Sequence, residues 1–275
     1  MKIFANHAHL MPENSWKEGS VEMLLEHLDF CEIDRAVVFP PFACQFDNNM
    51  EKANLWAWEQ VRRYPDRLWP AATLFPLAPN AIDMLSICHK EGISLVKVHP
   101  SIDLHDIADS AAINFYTKAQ ELKITIDYHT GAHSSRLSLS KPEKFDNIAW
   151  NFPNLKLVLE HMGGRTYFEE FLAIINNHHS RRKEAGSPPC VFGGLTSNLN
   201  NSGEHMLWYI APEKIMDLIK ITGSDKLIFG LDFPWNNKER TREDIEIIMG
   251  LDISKDDKSK ILGGNLAKLL DVRID

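Results

Sequence analysis

The chain has 275 residues, 44% of them hydrophobic and 25% charged, and a formal net charge of −8. That length suits one large α/β domain or two smaller ones, with enough apolar residues for a sizeable core. The acidic balance and the lack of a basic tract exclude a protein built to grip nucleic acid, and no apolar run is long enough for a bilayer span.

The chain opens on a short apolar strand, Met1 to His9, ending in His7-Ala8-His9. Val21, Leu24, Leu25 and Leu28 recur at helical spacing and predict a helix over about 20–31. Arg35–Phe39, stopped by Pro40, is a buried strand, and 48–63 is helical. Leu68–Phe75 is a third strand, followed by a helix from Pro79 to Lys90. Ser94–His99 is the fourth, then a helix over Ala111–Leu122, and Ile124–His129 is the fifth. Helix Glu143–Trp150 leads to a sixth strand, Leu155–His161, and to helix Tyr167–Asn177. A polar loop, Ser180 to Pro189, precedes a weaker, glycine-bearing seventh strand, Cys190–Leu195. Helix Pro212–Ile221, an eighth strand Lys226–Asp232, and helices at about 242–250 and 255–271 close the chain.

The strands read as continuous apolar runs, as strands covered on both faces do. Regular β-α alternation predicts a single (β/α)8 TIM barrel over residues 1–275. An open doubly wound sheet would want a glycine-rich phosphate loop after the first strand, where this chain has His-Ala-His. Cys31, Cys44, Cys88 and Cys190 form no CxxC pair and read as small buried hydrophobes of a reducing compartment. With no signal peptide evident after Lys2, a cytoplasmic location is expected.

In such a barrel the chemistry sits at the C-terminal ends of the strands. Five of the 12 histidines fall there: His7, His9, His99, His129 and His161. Asp232 ends the eighth strand. A divalent ion such as zinc wants about four ligands, one position being left for water, and His7, His9, His129 and Asp232 supply the right donors. Water on such an ion ionises near neutral pH, with Asp232 to accept its proton and His161 to orient it or act as acid/base. Lys97 shares a face with His99 and has three roles open to it: pairing with a carboxylate, contacting substrate or, if carbamylated, bridging two metals; the first two are expected, because no second carboxylate or further ligand set is visible. Arg136 and Arg165 follow strands five and six and are candidates to hold a substrate carboxylate. Candidate contacts also include His99, with His105 and His133 in nearby loops. The helical His27, His89, His178, His179 and His205 read as solvated.

Six segments in order resemble the amidohydrolase superfamily, and within it the amidohydrolase-2 family of metal-dependent barrel enzymes. They are His7-Ala8-His9, Val96-Lys97-Val98-His99-Pro100, Tyr128-His129-Thr130-Gly131, Glu160-His161-Met162-Gly163-Gly164, Phe229-Gly230-Leu231-Asp232-Phe233-Pro234-Trp235 and Ile261-Leu262-Gly263-Gly264-Asn265. Leu231 departs from the family's usual small hydroxyl residue. The resemblance implies one divalent ion, usually zinc with manganese as an alternative, held by His7, His9, His129 and Asp232, with His161 in catalysis. Trp235, in the strand-eight motif, joins Lys97, His99, Arg136 and Arg165 as a candidate substrate contact. The family includes lactonases, other hydrolases and nonoxidative decarboxylases of aromatic or related acids. A metal-dependent hydrolase of a small ester, lactone or amide is expected first, a decarboxylase second and a non-catalytic binding barrel last. The expected partner is a small molecule, with no nucleic acid and no membrane, and the family suggests a homodimer.

Overall fold

The structure is a computed structural model that describes residues 1–188, 190–201 and 206–273. His205, Pro189 at the end of the expected polar loop, and the side chain of Cys44 lie outside the described residues. In chain order the strands are β1 (Phe4–His9), β2 (Arg35–Phe39), β3 (Leu68–Pro70), β4 (Ala72–Thr73), β5 (Leu95–Val98), β6 (Thr125–His129), β7 (Leu157–Glu160), β8 (Val191–Gly194), β9 (Leu227–Ile228) and β10 (Gly230–Phe233). Contacts divide the chain into two units, Met1–Thr73 with Leu227–Asp275, and Leu74–Lys226. Among the described residues, no helix is long and apolar enough to cross a membrane.

In the first unit β10, β1, β2 and β3 form a parallel sheet in that order. All six residues of β1 are buried. Helix Val21–Phe30 starts on Ser20, whose hydroxyl accepts from the Met23 N–H, and helix Met50–Arg62 starts on Asn49, which accepts from Lys52. The expected third strand is broken between β3 and β4. Pro70 has no N–H to donate, and the indole of Trp58 donates to the Ala71 carbonyl at 2.8 Å. Buried Asn54 then clasps Thr73, donating to its carbonyl and accepting from its N–H, both at 2.9 Å. The eighth strand is likewise split, at Phe229, whose N–H turns to the Ile261 carbonyl. Asn265 donates to the Leu227 carbonyl at 2.8 Å, so the closing Ile-Leu-Gly-Gly-Asn segment anchors that strand. The last helix is not continuous: Lys255–Ser259 and Asn265–Leu270 flank a π-turn, with Gly263 outside helical angles. The preceding helix begins at Lys238 rather than about 242, because Asn237 caps it through the Arg240 N–H.

In the second unit β5, β6, β7 and β8 run parallel as neighbours, and each is buried along its length. Helix Gly164–Glu184 is longer than expected and takes in the first part of the polar loop. Helices Pro142–Asn151 and Pro212–Thr222 each begin on a proline, which lacks the N–H that a first helical turn leaves unused.

Two helical histidines are not solvated as their positions suggested. His178 is 3% exposed and bonds Asp146 at 2.8 Å, while His27 is 4% exposed and bonds the Thr241 hydroxyl at 2.8 Å. Burial, with Lys238 adding to it and Glu239 opposing, pushes the His27 pKa down to about 4. The unfolded chain takes up that proton near pH 6.5, so the neutral ring's stabilisation is present above that pH and is lost as pH falls toward 4. The loss reaches at most about 3 kcal/mol. His27→Gln keeps a hydrogen-bonding side chain without the titration. Thermal melts from pH 4.5 to 7 are expected to show a shallower fall of Tm in this variant than in the wild type.

Candidate metal centre and strand-end histidines

In the first unit His7, His9 and Asp232 come together. The Nε2 atoms of His7 and His9 are 3.3 Å apart, and His7 Nε2 is 3.9 Å from Asp232 Oδ1. One ligand atom from each of the three residues lies within 4.8 Å of the others. Plain strand alternation does not produce this arrangement. β1 carries an extra residue relative to β2 between Ala5 and Ala8, and β10 an extra residue relative to β1 between Gly230 and Phe233. His7 and Asp232 occupy those irregularities in left-handed conformation, with φ of 68° and 57°. Bulges re-aim side chains in this way, at a conformational cost that the surrounding packing must meet. Asn236 secures the turn after β10, donating through its amide to the Leu231 carbonyl at 2.8 Å and through its N–H to the Asp232 carbonyl at 3.0 Å.

The donor set fits a divalent ion. Two nitrogens each about 2.0–2.1 Å from one tetrahedral ion stand about 3.4 Å apart, close to the spacing of His7 and His9. A half-exposed aromatic wall adjoins them: Trp235 lies edge-on to His9 at 5.1 Å and contacts Trp16 and Phe42 at 5.9 and 5.7 Å.

The second unit gathers His99, His129, His133 and His161. His99 stacks on His129 at 3.9 Å, and His161 meets His129 at 4.6 Å and Trp208 at 4.9 Å. His129 is held well below the usual imidazole pKa, first by burial and then by His99, His161, Lys97 and His133. It is therefore neutral, the form that binds metals. Its Nε2 is buried with no hydrogen-bond partner among the described residues.

Backbone and side chains around His161 interlock. The Thr130 hydroxyl donates to the Glu160 carbonyl at 2.6 Å and accepts from the Gly163 N–H at 2.8 Å, tying the strand-five motif to the strand-six motif. His161 and Met162 are left-handed, with φ of 66° and 48°. The Thr196 carbonyl accepts from His161 Nδ1 at 2.9 Å, and the Thr196 hydroxyl donates to Glu160 Oε2 at 2.5 Å. The glycines of β8 make room for this network: a Cβ on Gly194 would overlap the Glu160 carboxyl, and one on Gly193 the sulfur of Met162.

Lys97 has a carboxylate partner, Asp127, at 2.8 Å, with the two side chains 2% and 0% exposed. Asp127 stands two residues before His129 on β6, so its inward face was readable from period-two alternation. Arg136 and Arg165 are exposed. His105 is buried edge-on against Phe75 at 4.7 Å. Trp208 and Thr196 carried no local sequence signal as members of the site; Thr130 and Glu160 stand in the motifs of His129 and His161, but their contacts follow from strand neighbours distant in the chain.

A family model described as Amidohydrolase (Amidohydro_2) matches residues 6–272. No curated protein matches the chain. Among solved structures, 5-carboxyvanillate decarboxylase from Sphingomonas paucimobilis is similar over 99% of each chain, at 13% identity and a TM-score of 0.74. A dihydroxybenzoic acid decarboxylase from Polaromonas sp. JS666, with bound manganese and the inhibitor 2-nitroresorcinol, is similar over 98% of this chain and 97% of its own, at 17% identity and a TM-score of 0.69. A probable 2-pyrone-4,6-dicarboxylic acid hydrolase from Acinetobacter baumannii, with citric acid bound, is similar over 98% of this chain and 100% of its own, at 17% identity and a TM-score of 0.67. These likenesses show the fold, a (β/α)8 TIM barrel, as the strand-helix alternation predicts.

Proposed function

The chain belongs to the amidohydrolase family, whose members are metal-dependent hydrolases and decarboxylases, and on that premise we propose that it hydrolyses a small carboxylic ester, lactone or amide with one divalent ion. The observation that carries this reading is the convergence of His7, His9 and Asp232 at 3.3 and 3.9 Å. These three hold the ion, and the motif order assigns His129 as the fourth ligand, which suits a buried Nε2 without a hydrogen-bond partner. Zinc and manganese both suit imidazole with carboxylate. When bound, the ion lowers the pKa of water and polarises a carbonyl oxygen.

The protein's own groups do the rest. Asp232, the one acidic member of the set, accepts the water's proton and returns it to the leaving group. His161 keeps a fixed ring because Nδ1–H is engaged by Thr196. Its Nε2 is the atom that takes or gives a proton. Trp235, with Trp16 and Phe42, offers apolar ring surface to a planar substrate. Arg136 and Arg165 are the exposed cations assigned to a substrate carboxylate. The three described cysteines are free and buried, which suits the cytoplasm.

Decarboxylation of a small aromatic acid is the second reading, favoured by the names of two of the similar structures. There His161 or Asp232 would protonate the ring carbon that loses carbon dioxide. Elemental analysis after expression with zinc or manganese is expected to find about one equivalent of metal per chain. A panel of lactones and hydroxybenzoates, assayed in parallel for ring opening and for carbon dioxide, separates the reactions. Ring opening without gas release supports the hydrolase. Gas release replaces it with the decarboxylase, and absence of metal removes both.

A further inference from the structure

The turn that carries Asp232 runs straight into a helix. Phe233, Pro234, Trp235 and Asn236 follow Asp232, and Asn237 then caps helix Lys238–Gly250 through the Arg240 N–H at 2.8 Å. The seat of that helix therefore fixes one end of the turn. It packs on helix Val21–Phe30, and polar contacts tie the seam between them. The Cys31 thiol donates to the Lys238 carbonyl at 3.2 Å, Lys238 pairs with Glu26 at 2.6 Å, and the Arg242 guanidinium lies 3.9 Å from the centre of the Phe30 ring. The ion pair faces water, which screens it, so by itself it holds little.

His27 stands at the buried centre of the seam. Its Nε2 lies 2.8 Å from the hydroxyl of Thr241, itself buried, on the second helix. The same ring meets Phe233 edge-on, with centroids 5.5 Å apart and planes at 87°. Phe233 is buried and is the residue next to Asp232. One imidazole thus grips the segment at two points: by a hydrogen bond where it has become helix, and by a ring contact beside the carboxylate. Imidazole suits both tasks, having an aromatic ring and a polar nitrogen on its edge.

We infer that His27 is a positioning residue for the metal centre: acting through Phe233, it holds the turn so that Asp232 faces His7 and His9. The inference rests on the reading of those three residues as ligands. Asp232 needs such support, because a left-handed φ of 57° at a residue other than glycine persists only where its surroundings impose it. His27 carries no ligand atom to the ion. Its effect is on how well the carboxylate is pre-placed.

The test measures zinc affinity of the full chain by competition with a chromophoric chelator, at low temperature, with near-UV circular dichroism confirming the fold. His27→Gln keeps a polar group for Thr241 and removes the ring, and affinity is expected to fall about tenfold. Phe233→Leu is expected to fall by about the same factor, and the double variant to fall no more than about twofold further, because the two act in one chain of contact. Val61→Ala, a buried change in helix Met50–Arg62, is the control for lost stability alone, and its affinity is expected to stay within about twofold of wild type. Wild-type affinity in His27→Gln overturns the inference, as does a double variant whose loss is the product of the single losses, or a Val61→Ala loss equal to that of His27→Gln. Should His27→Gln not fold, Thr241→Val, which unties the ring from its anchor, takes its place with the same expected fall and the same reversal. A wild-type chain that takes up no zinc overturns the ligand reading and this inference together, whereas zinc held equally by wild type and His27→Gln overturns this inference alone.

Discussion

Asp232→Asn is expected to lower turnover by roughly a thousandfold while leaving the protein folded. Asparagine is close to aspartate in size and is one of the few residues at ease in left-handed backbone, so the φ of 57° at this position is kept. On the proposed reading, what is lost is the proton-accepting oxygen and one anionic ligand beside His7 and His9. Kinetics on the purified variant, with near-UV circular dichroism and metal content measured on the same sample, check this. Turnover at the wild-type level would remove Asp232 from the chemistry. Loss of turnover with full metal content would assign it to proton transfer, and loss of both to ligation.

Gly194→Ala is expected to destabilise by about 2–4 kcal/mol, because the added methyl has nowhere to go. Its position overlaps the carboxyl of Glu160, which is completely buried and held by the Thr196 hydroxyl. Moving Glu160 also disturbs Thr196, and with it the carbonyl that fixes His161. Denaturant unfolding should therefore record lost stability, and assays at low temperature should record lost turnover in the molecules that still fold. Gly250→Ala is the control: that residue ends a helix with no atom near its would-be Cβ, and a change within about 0.5 kcal/mol is expected. Equal melts for wild type and Gly194→Ala would show that the backbone yields there.

The strands were legible because apolar runs ended by proline or glycine leave little choice. Arg35–Phe39 has its expected bounds, and the helices around Leu24 and Leu55 lie within a residue or two of their periodic patterns. Less legible were features that depend on a partner far along the chain. Ala71 breaks its strand because Trp58 claims its carbonyl, and nothing local to Ala71 says so. His27 falls on the buried stripe of its helix with Leu24 and Leu28, a spacing that could have shown it to be buried. The pairing of Lys97 with Asp127 was within reach of simple alternation. The meeting of His7 with Asp232 was expected from their strand ends, but the bulges in both strands that aim the two side chains were not, because bulges leave no reliable mark on composition.

The left-handed angles at His7, His161 and Asp232 shape how this protein can diverge. At each of the three, drift toward asparagine or glycine erases a chemical group while the main chain keeps its course. Drift toward valine or isoleucine challenges the main chain itself. A mutational scan should therefore find two kinds of failure at the same codon: abundant but inert variants, and variants that never accumulate. Descendants that abandon the reaction have a short road through the first kind, and would keep the barrel as a scaffold for some other task.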